Sequence, residues 1–257
     1  YEEAEKNLKE ILLKNQVELQ YGTNKAVKMS IESDLSLLIH ELRDIARYYQ
    51  VNPHSIDEQP QTIILQHLED INKITPTKTF FETDKEFKII YSITEDKSLM
   101  TGFDLSNQPY VQEIRRTLKP SFSSNAVDSD ASFQITVVYP IIDKNNELQG
   151  IVGIVLDPSQ FFSRHGNISD INTEYLVIMD NDARFIAAPK NSLIDVVGKK
   201  FYDDDVQQFL HHDPNTINLF EDMLNGSATK YSIANTELGE TISTGVPVKV
   251  DEKVEYY

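Results

Sequence analysis

His211 and His212 are the first residues to invite a chemical reading, and their spacing argues against one. Neighbours on a helix point about 100° apart, so the two rings cannot share one metal ion. Asp203, Asp204 and Asp205 lack the alternating oxygen ligands and the glycine of a calcium loop. They read as an acidic cap on a helix N-terminus. Asp180-Asn181-Asp182 is turn chemistry. No glycine pattern of the nucleophile-elbow kind frames a serine, and the nine glycines of the chain form no phosphate-cradling loop. With no cysteine, thiolate nucleophiles, thiolate zinc sites and disulfides are excluded. The sequence implies no metal, no cofactor and no catalytic residue; its polar groups point to binding. Asn167-Ile168-Ser169 and Asn225-Gly226-Ser227 match the N-glycosylation acceptor pattern.

The elements that must position a binding site follow from periodicity. From about Glu2 to Tyr49 there is no proline and one glycine, Gly22. Leu8, Leu12, Leu19, Ala26 and Met29 recur with a heptad-type spacing in which Asn15 and Gly22 fall on the seam. After Met29 the phase shifts, and Ile31, Leu35, Leu38, Leu42, Ile45 and Tyr49 alternate by four and three. This predicts one long helix over 1–50. Its second half faces the protein's own core, and its first half forms either a core stripe or a stalk packed on a twin. Asn52-Pro53 breaks it. A second helix is predicted over Ile63–Ile74, then strands at Thr79–Glu82 and Phe87–Ile93 about a turn at 83–86. Further on, strands are predicted at Tyr175–Met179, Arg184–Ala188, Ala228–Ile233 and Thr241–Val250. Helical segments lie near Asp205–Leu210 and Asn218–Asn225. Val246-Pro247-Val248 echoes Tyr139-Pro140-Ile141 as a weak internal repeat.

Charge and length bound the partners. A net charge of −17 and a pI near 4.7 repel nucleic acid and anionic lipid. No apolar run reaches the roughly 18–20 residues that span a bilayer; Ile151–Leu156, the densest, has strand length. The chain starts at Tyr1 and ends in Glu255-Tyr256-Tyr257, which reads as the opening of a strand. The expectation is a fragment of a longer protein with transmembrane helices before and after it.

The phrases FDLSNQPYVQEI (103–114), ITVVYPIID (135–143) and LQGIVGIVLDPSQF (148–161), in that order, resemble the double Cache domain. This is the extracytoplasmic sensor of histidine kinases and chemoreceptors. The resemblance implies an α+β fold: a long N-terminal helix followed by two PAS-like lobes, each an antiparallel sheet flanked by helices. It places a membrane-distal, ligand-binding lobe at 51–165 and a membrane-proximal, C-terminally truncated lobe at 170–257.

The amino-acid-sensing branch of that family clamps the ligand carboxylate with an arginine and a tryptophan. It holds the ammonium with a tyrosine and two aspartates. This chain has Gln108 at the arginine, Tyr110 at the tryptophan, Ala126 at the tyrosine and Val155 at the last acid, with Asp157 two residues on. Asp128 keeps its acid. Losing a guanidinium fork removes charge-assisted bonds of about 1.5–3 kcal/mol each, so a free α-amino acid is disfavoured. The resemblance therefore implies a neutral or amine-bearing small molecule. Gln108, Tyr110, Ser124, Asn125 and Asp128 would hold it, against the sheet carrying Tyr91 and Tyr139. Arg115 and Arg116 are expected to face solvent.

The function these readings imply is ligand sensing outside the cytoplasm by a membrane-anchored receptor, with a histidine kinase as first expectation and a chemoreceptor as the alternative. The fragment itself is not an enzyme. Its partners would be a small-molecule ligand and a second copy joined through the N-terminal helix. A Cache-like interaction or dimerisation module without a small-molecule ligand is the competing class, and would be recognised by a hollow closed by bulky side chains.

Overall fold

A computed structural model describes residues 2–51, 62–94, 99–126, 133–166, 176–188, 195–225, 231–236, 239–250 and 253–256. Helix α1 is continuous over Glu2–Val51, and α2 covers Thr62–Ile74. The chain divides into two compact units, lobe A at Ser33–Phe161 and lobe B at Tyr1–Glu32 with Phe162–Tyr257. The long helix is thus not a unit of its own: its residues are shared between the lobes.

Lobe A is built on an antiparallel sheet of β1 (Thr77–Thr83), β2 (Ile89–Ile93), β3 (Ser121–Ala126), β4 (Phe133–Ile142) and β5 (Leu148–Leu156), ordered β2-β1-β5-β4-β3. Helix α3 (Pro109–Thr117) precedes β3. Side chains alternate between the faces of a strand, and the register makes the two faces distinct. Phe81 opposes Gly153, which opposes Val138. These positions share a face with Ile151 and Val155, and their side chains form one apolar cluster with Tyr110, Val111 and Ile114 of α3. The other face carries Phe80, Glu82, Val152 and Ile154, all buried. Against that face stands Tyr49 of α1, in contact with Glu82.

Lobe A residues of α1 bury Leu35, Leu38, Leu42, Ile45 and Tyr49, while α2 buries Ile64, Leu68 and Ile71. Glu41 and His67 join the two helices at 2.7 Å. The phase shift in the sequence is real. Leu8, Leu12, Leu19 and Met29 are 58, 59, 63 and 68% exposed. Lobe B instead receives Val17 and Val27, with Gln20 and Asn24 donating amide hydrogens to the carbonyls of Ile242 and Thr244 at 3.2 Å each.

Lobe B contains α4 (Pro158–Gly166, which begins in lobe A), β6 (Ile178–Met179), β7 (Phe185–Ala187), α5 (Asp204–Phe209), α6 (Pro214–Leu224), β8 (Ser232–Thr236), β9 (Gly239–Ser243), β10 (Val248–Val250) and β11 (Lys253–Tyr256). Its strands pair as β6-β7, β8-β9 and β10-β11, and an Asp180–Tyr256 bridge joins the end of β6 to β11. The single strand expected over Thr241–Val250 is divided in two, because Gly245 and Pro247 interrupt the ladder. Helix α6 begins ahead of the expected Asn218. Pro214 occupies its first turn and the Asp213 carboxylate accepts the N–H of Thr216 at 2.9 Å.

The lobes share a construction that the proline echo understates. In the turns at Asp84, Asp143 and Asp180, the residue three places on has φ of 67°, 63° and 61° (Phe87, Asn146, Ala183). In each, the aspartate Oδ1 accepts the N–H of the residue four places on, at 2.9, 2.9 and 3.0 Å. Beyond the first and third of these turns the backbone bonds recur at one constant interval. Gly102 N–H donates to Ile89 O and Leu105 N–H to Phe87 O; Gly198 donates to Phe185 and Phe201 to Ala183. The side-chain amides of Gln112 and Gln207 then tie back to Ser106 O at 2.7 Å and Phe201 O at 2.6 Å. This is tandem repetition of one α+β plan.

Candidate functional site

The turn before α3 is held by Asp104, whose Oδ1 accepts the Ser106 N–H at 2.8 Å. A hydrogen bond from the Ser106 side chain first, and that N–H bond second, hold the Asp104 carboxyl below its ordinary range. Gln108 is the N-cap residue, with extended backbone (φ −68°, ψ 141°) and Pro109 after it. Its side chain makes no capping bond, so the amide is not consumed by the helix it starts. Tyr110, one residue into the helix, is 3% exposed and belongs to the cluster of Phe81, Val138 and Val155. Burial raises its phenol above the ordinary range, keeping it a neutral donor and acceptor.

On the sheet face that meets α3, the register lines up Thr79, Val155, Thr136 and Ser123 across β1, β5, β4 and β3. Three hydroxyl residues therefore stand in one row with Val155. Thr79 and Thr136 are buried, and the Thr79 hydroxyl bonds that of Thr94 at 2.8 Å. The next row is Phe81, Gly153, Val138 and Ser121, with the Ser121 hydroxyl donating to Glu113 Oε2 at 2.8 Å. Polar and uncharged, the first row can exchange hydrogen bonds with a ligand but fixes neither a carboxylate nor an ammonium.

The structure brings Tyr110 and Val155 into one cluster and does not bring Tyr91 and Tyr139 to it. Tyr91 pairs with Glu82, and Tyr139 pairs with Val152. Both tyrosines stand on the opposite, helix-bearing face, because strand alternation separates them from Phe81 and Val138 by one residue. Ser124 pairs with Ile135 and Asn125 with Gln134; Asp128 lies outside the described residues. Arg115 and Arg116 are exposed as expected, and the Arg115 guanidinium lies 4.5 Å over the Phe87 ring.

Thr79 and Thr136 are not among the residues expected from the sequence, whereas Ser123 opens the strand expected to bound the pocket. Counting alternation outward from Val155 would have found them, but only with the strand pairing known. In lobe B, His211 and His212 lie in the turn after α5 with φ of 53° and 49°, not on a helix. Among the described residues no cluster of metal-ligating side chains occurs. Asp204 and Asp205 occupy the first turn of α5, and a hydrogen bond from Lys199 holds the Asp205 carboxyl below its ordinary range.

No family model matches the chain, and no curated protein matches its sequence. Solved structures do. The ligand-binding domain of the Pseudomonas fluorescens chemoreceptor CtaA in complex with L-isoleucine superposes with a TM-score of 0.68 at 13% identity, covering 97% of this chain and 93% of that one. The periplasmic sensory domain of the Campylobacter jejuni chemoreceptor Tlp1 gives 0.63 at 13%, covering 95% and 93%. An extracellular ligand binding receptor from Desulfohalobium retbaense DSM5692 gives 0.61 at 13%, over 91% of this chain but only 38% of that one. This chain shares the fold of these domains over nearly its whole length.

Proposed function

We propose that this chain is the extracytoplasmic ligand-sensing part of a membrane-anchored signalling receptor, and that lobe A binds the ligand. The face joining α3 to the sheet is the binding face, and Gln108, Tyr110, Asn125 and Asp128 are its contacts, together with Thr79, Thr136 and Ser123. The observation that carries this reading is the hydroxyl row about Val155, set beside the uncapped amide of Gln108. It favours an uncharged or amine-bearing molecule over a free α-amino acid. The names of the structural neighbours favour a chemoreceptor over a histidine kinase as the parent.

Dimerisation through α1 belongs to the same reading. Leu8, Leu12, Asn15, Leu19, Gly22, Ala26 and Met29, all exposed in the single chain, form an unbroken heptad seam of the kind two helices bury against each other.

A thermal-shift screen of polyols, amides, amines and the common amino acids tests the ligand class. A binder at one hundred times its dissociation constant should stabilise the fold by about 2.7 kcal/mol. A shift with a free α-amino acid, abolished by Asp128→Ala, would overturn it. One observation favours the interaction-module reading: Phe81, Tyr110, Val138 and Val155 are each at most 3% exposed, so this part of the face is already filled. A screen without any shift, with the dimer intact, would favour that reading.

A further inference from the structure

Lobe B buries three side-chain oxygens around one aromatic ring. Gln207 of α5, Thr216 of α6 and Ser232 of β8 are 6, 7 and 6% exposed. Gln207 Oε1, Thr216 Oγ1 and Ser232 Oγ are sealed from solvent and find no hydrogen-bond partner among the described residues. A buried polar atom left without a partner is expensive, so folded proteins almost always supply one.

Bonds and packing carry all three to Phe220. Thr216, Phe220 and Met223 are buried on one face of α6, at spacings of four and three residues. Phe220 stacks on Phe201 with ring centroids 4.1 Å apart. The Gln207 amide donates to the Phe201 carbonyl at 2.6 Å. That bond holds the carboxamide beside the stacked rings and leaves Oε1 as its end without a partner.

Strand β8 closes the other side. It packs against α6, and its position along the helix is set at two points. At one, Asn215 Nδ2 donates to the Ile233 carbonyl at 3.3 Å. At the other, Gly245 lies so near Met223 that an added Cβ would stand 2.3 Å from the sulfur. Ser232 adjoins Ile233 and pairs with Ser243, which lies two residues before Gly245. It therefore lies over the stretch of α6 between Asn215 and Met223, the stretch that holds Thr216 and Phe220.

We propose that lobe B holds a buried binding site beside Phe220, in which Gln207, Thr216 and Ser232 share one small uncharged molecule that donates hydrogen bonds. Gln207 Oε1 can only accept, and the two hydroxyls can accept or donate. None of the three carries a charge, and the Asp213 carboxylate already accepts the Thr216 N–H. An ion would exchange its hydration for neutral oxygens and the rings of Phe201 and Phe220, so a neutral guest is favoured. Two sources supply this chemistry: a solute with hydroxyl or amide groups, or a water molecule held inside the lobe. The site is confined to lobe B and does not rest on the function proposed above.

Equilibrium unfolding of the whole chain tests the shared partner through Thr216→Val, Ser232→Ala and the double variant, which remove the hydroxyls with little change of shape. Each single variant should lower the folding constant by about tenfold. The double variant should lower it by clearly less than the product of the two, because the second loss finds the molecule already released. Removing a hydroxyl that has no partner does the reverse. Singles that leave the folding constant unchanged or raise it, or two losses that simply multiply, would overturn the proposal. Should a variant fail to fold, the wild type decides by nuclear magnetic resonance. Saturable shifts of the Gln207 side-chain amide on adding glycerol or acetamide identify a solute. Overhauser transfer from a long-lived water to the Thr216 methyl group, unaffected by either probe, identifies an internal water. Absence of both signals would overturn the proposal as well.

Discussion

Phe81 occupies the space that any side chain at Gly153 would need: a Cβ added there would stand 2.4 Å from the Phe81 ring. The two residues are register partners in β1 and β5, so the ring lies across the neighbouring strand instead of beside it. One glycine thus sets how Phe81 packs beneath Tyr110. Gly153→Ala should cost about 1–3 kcal/mol through overpacking, read by denaturant unfolding. Trimming the ring with Phe81→Leu should make the double variant less damaged than the sum of the singles.

Val155 separates a neutral site from a charged one. Val155→Asp would bury an acid with Phe81, Tyr110 and Val138, at a cost of about 3 kcal/mol at neutral pH. Burial raises the folded pKa of such an acid. The loss should therefore shrink as pH falls toward its unfolded value, and unfolding measured in acid and at neutrality checks this. Val155→Thr should cost about 1 kcal/mol, since Thr79 and Thr136 flank it with hydroxyls.

The aspartate turns can be tested at Asp180 and Ala183. Asp180 accepts the N–H groups of Asp182 and Arg184 at 2.9 and 3.0 Å, so Asp180→Ala should cost about 1–2 kcal/mol. Ala183 holds φ at 61°, where a Cβ is penalised. Ala183→Gly should be neutral or stabilising by up to about 1 kcal/mol. Melting temperatures moving in opposite directions would bear out both.

The α1 seam predicts a variant that changes assembly without changing folding. Leu12 and Leu19 are 59 and 63% exposed, so Leu12→Asp with Leu19→Asp should leave monomer stability within about 0.5 kcal/mol per site. Sedimentation velocity should then show dimer converted to monomer. An unchanged dimer would remove α1 from the interface.

Much of this fold was legible in the chain, because local rules govern it. The long helix follows from a proline-free heptad pattern, and the break in phase after Met29 marks where burial passes to Ile31, Leu35 and Leu38. Turns at Asp143 and Asp180 follow from aspartate and asparagine chemistry. The start of α3 follows from Pro109 in its first turn. Which side chains meet across the sheet could not be read in the same way. Tyr91 and Tyr139 sit in strands as expected, yet one residue of register decides the face, and register is set by pairing between strands distant in sequence. The same pairing gathers Thr79, Thr136 and Ser123 beside Val155, and places Glu82 under Tyr49. A glutamate in β1 looks like a solvent-facing charge until β2, β5 and α1 close over it. Sequence alone determined the long helix and most of the strands in their order; the tertiary structure decided which polar groups are buried together, because burial and ionisation depend on neighbours the local chain does not contain.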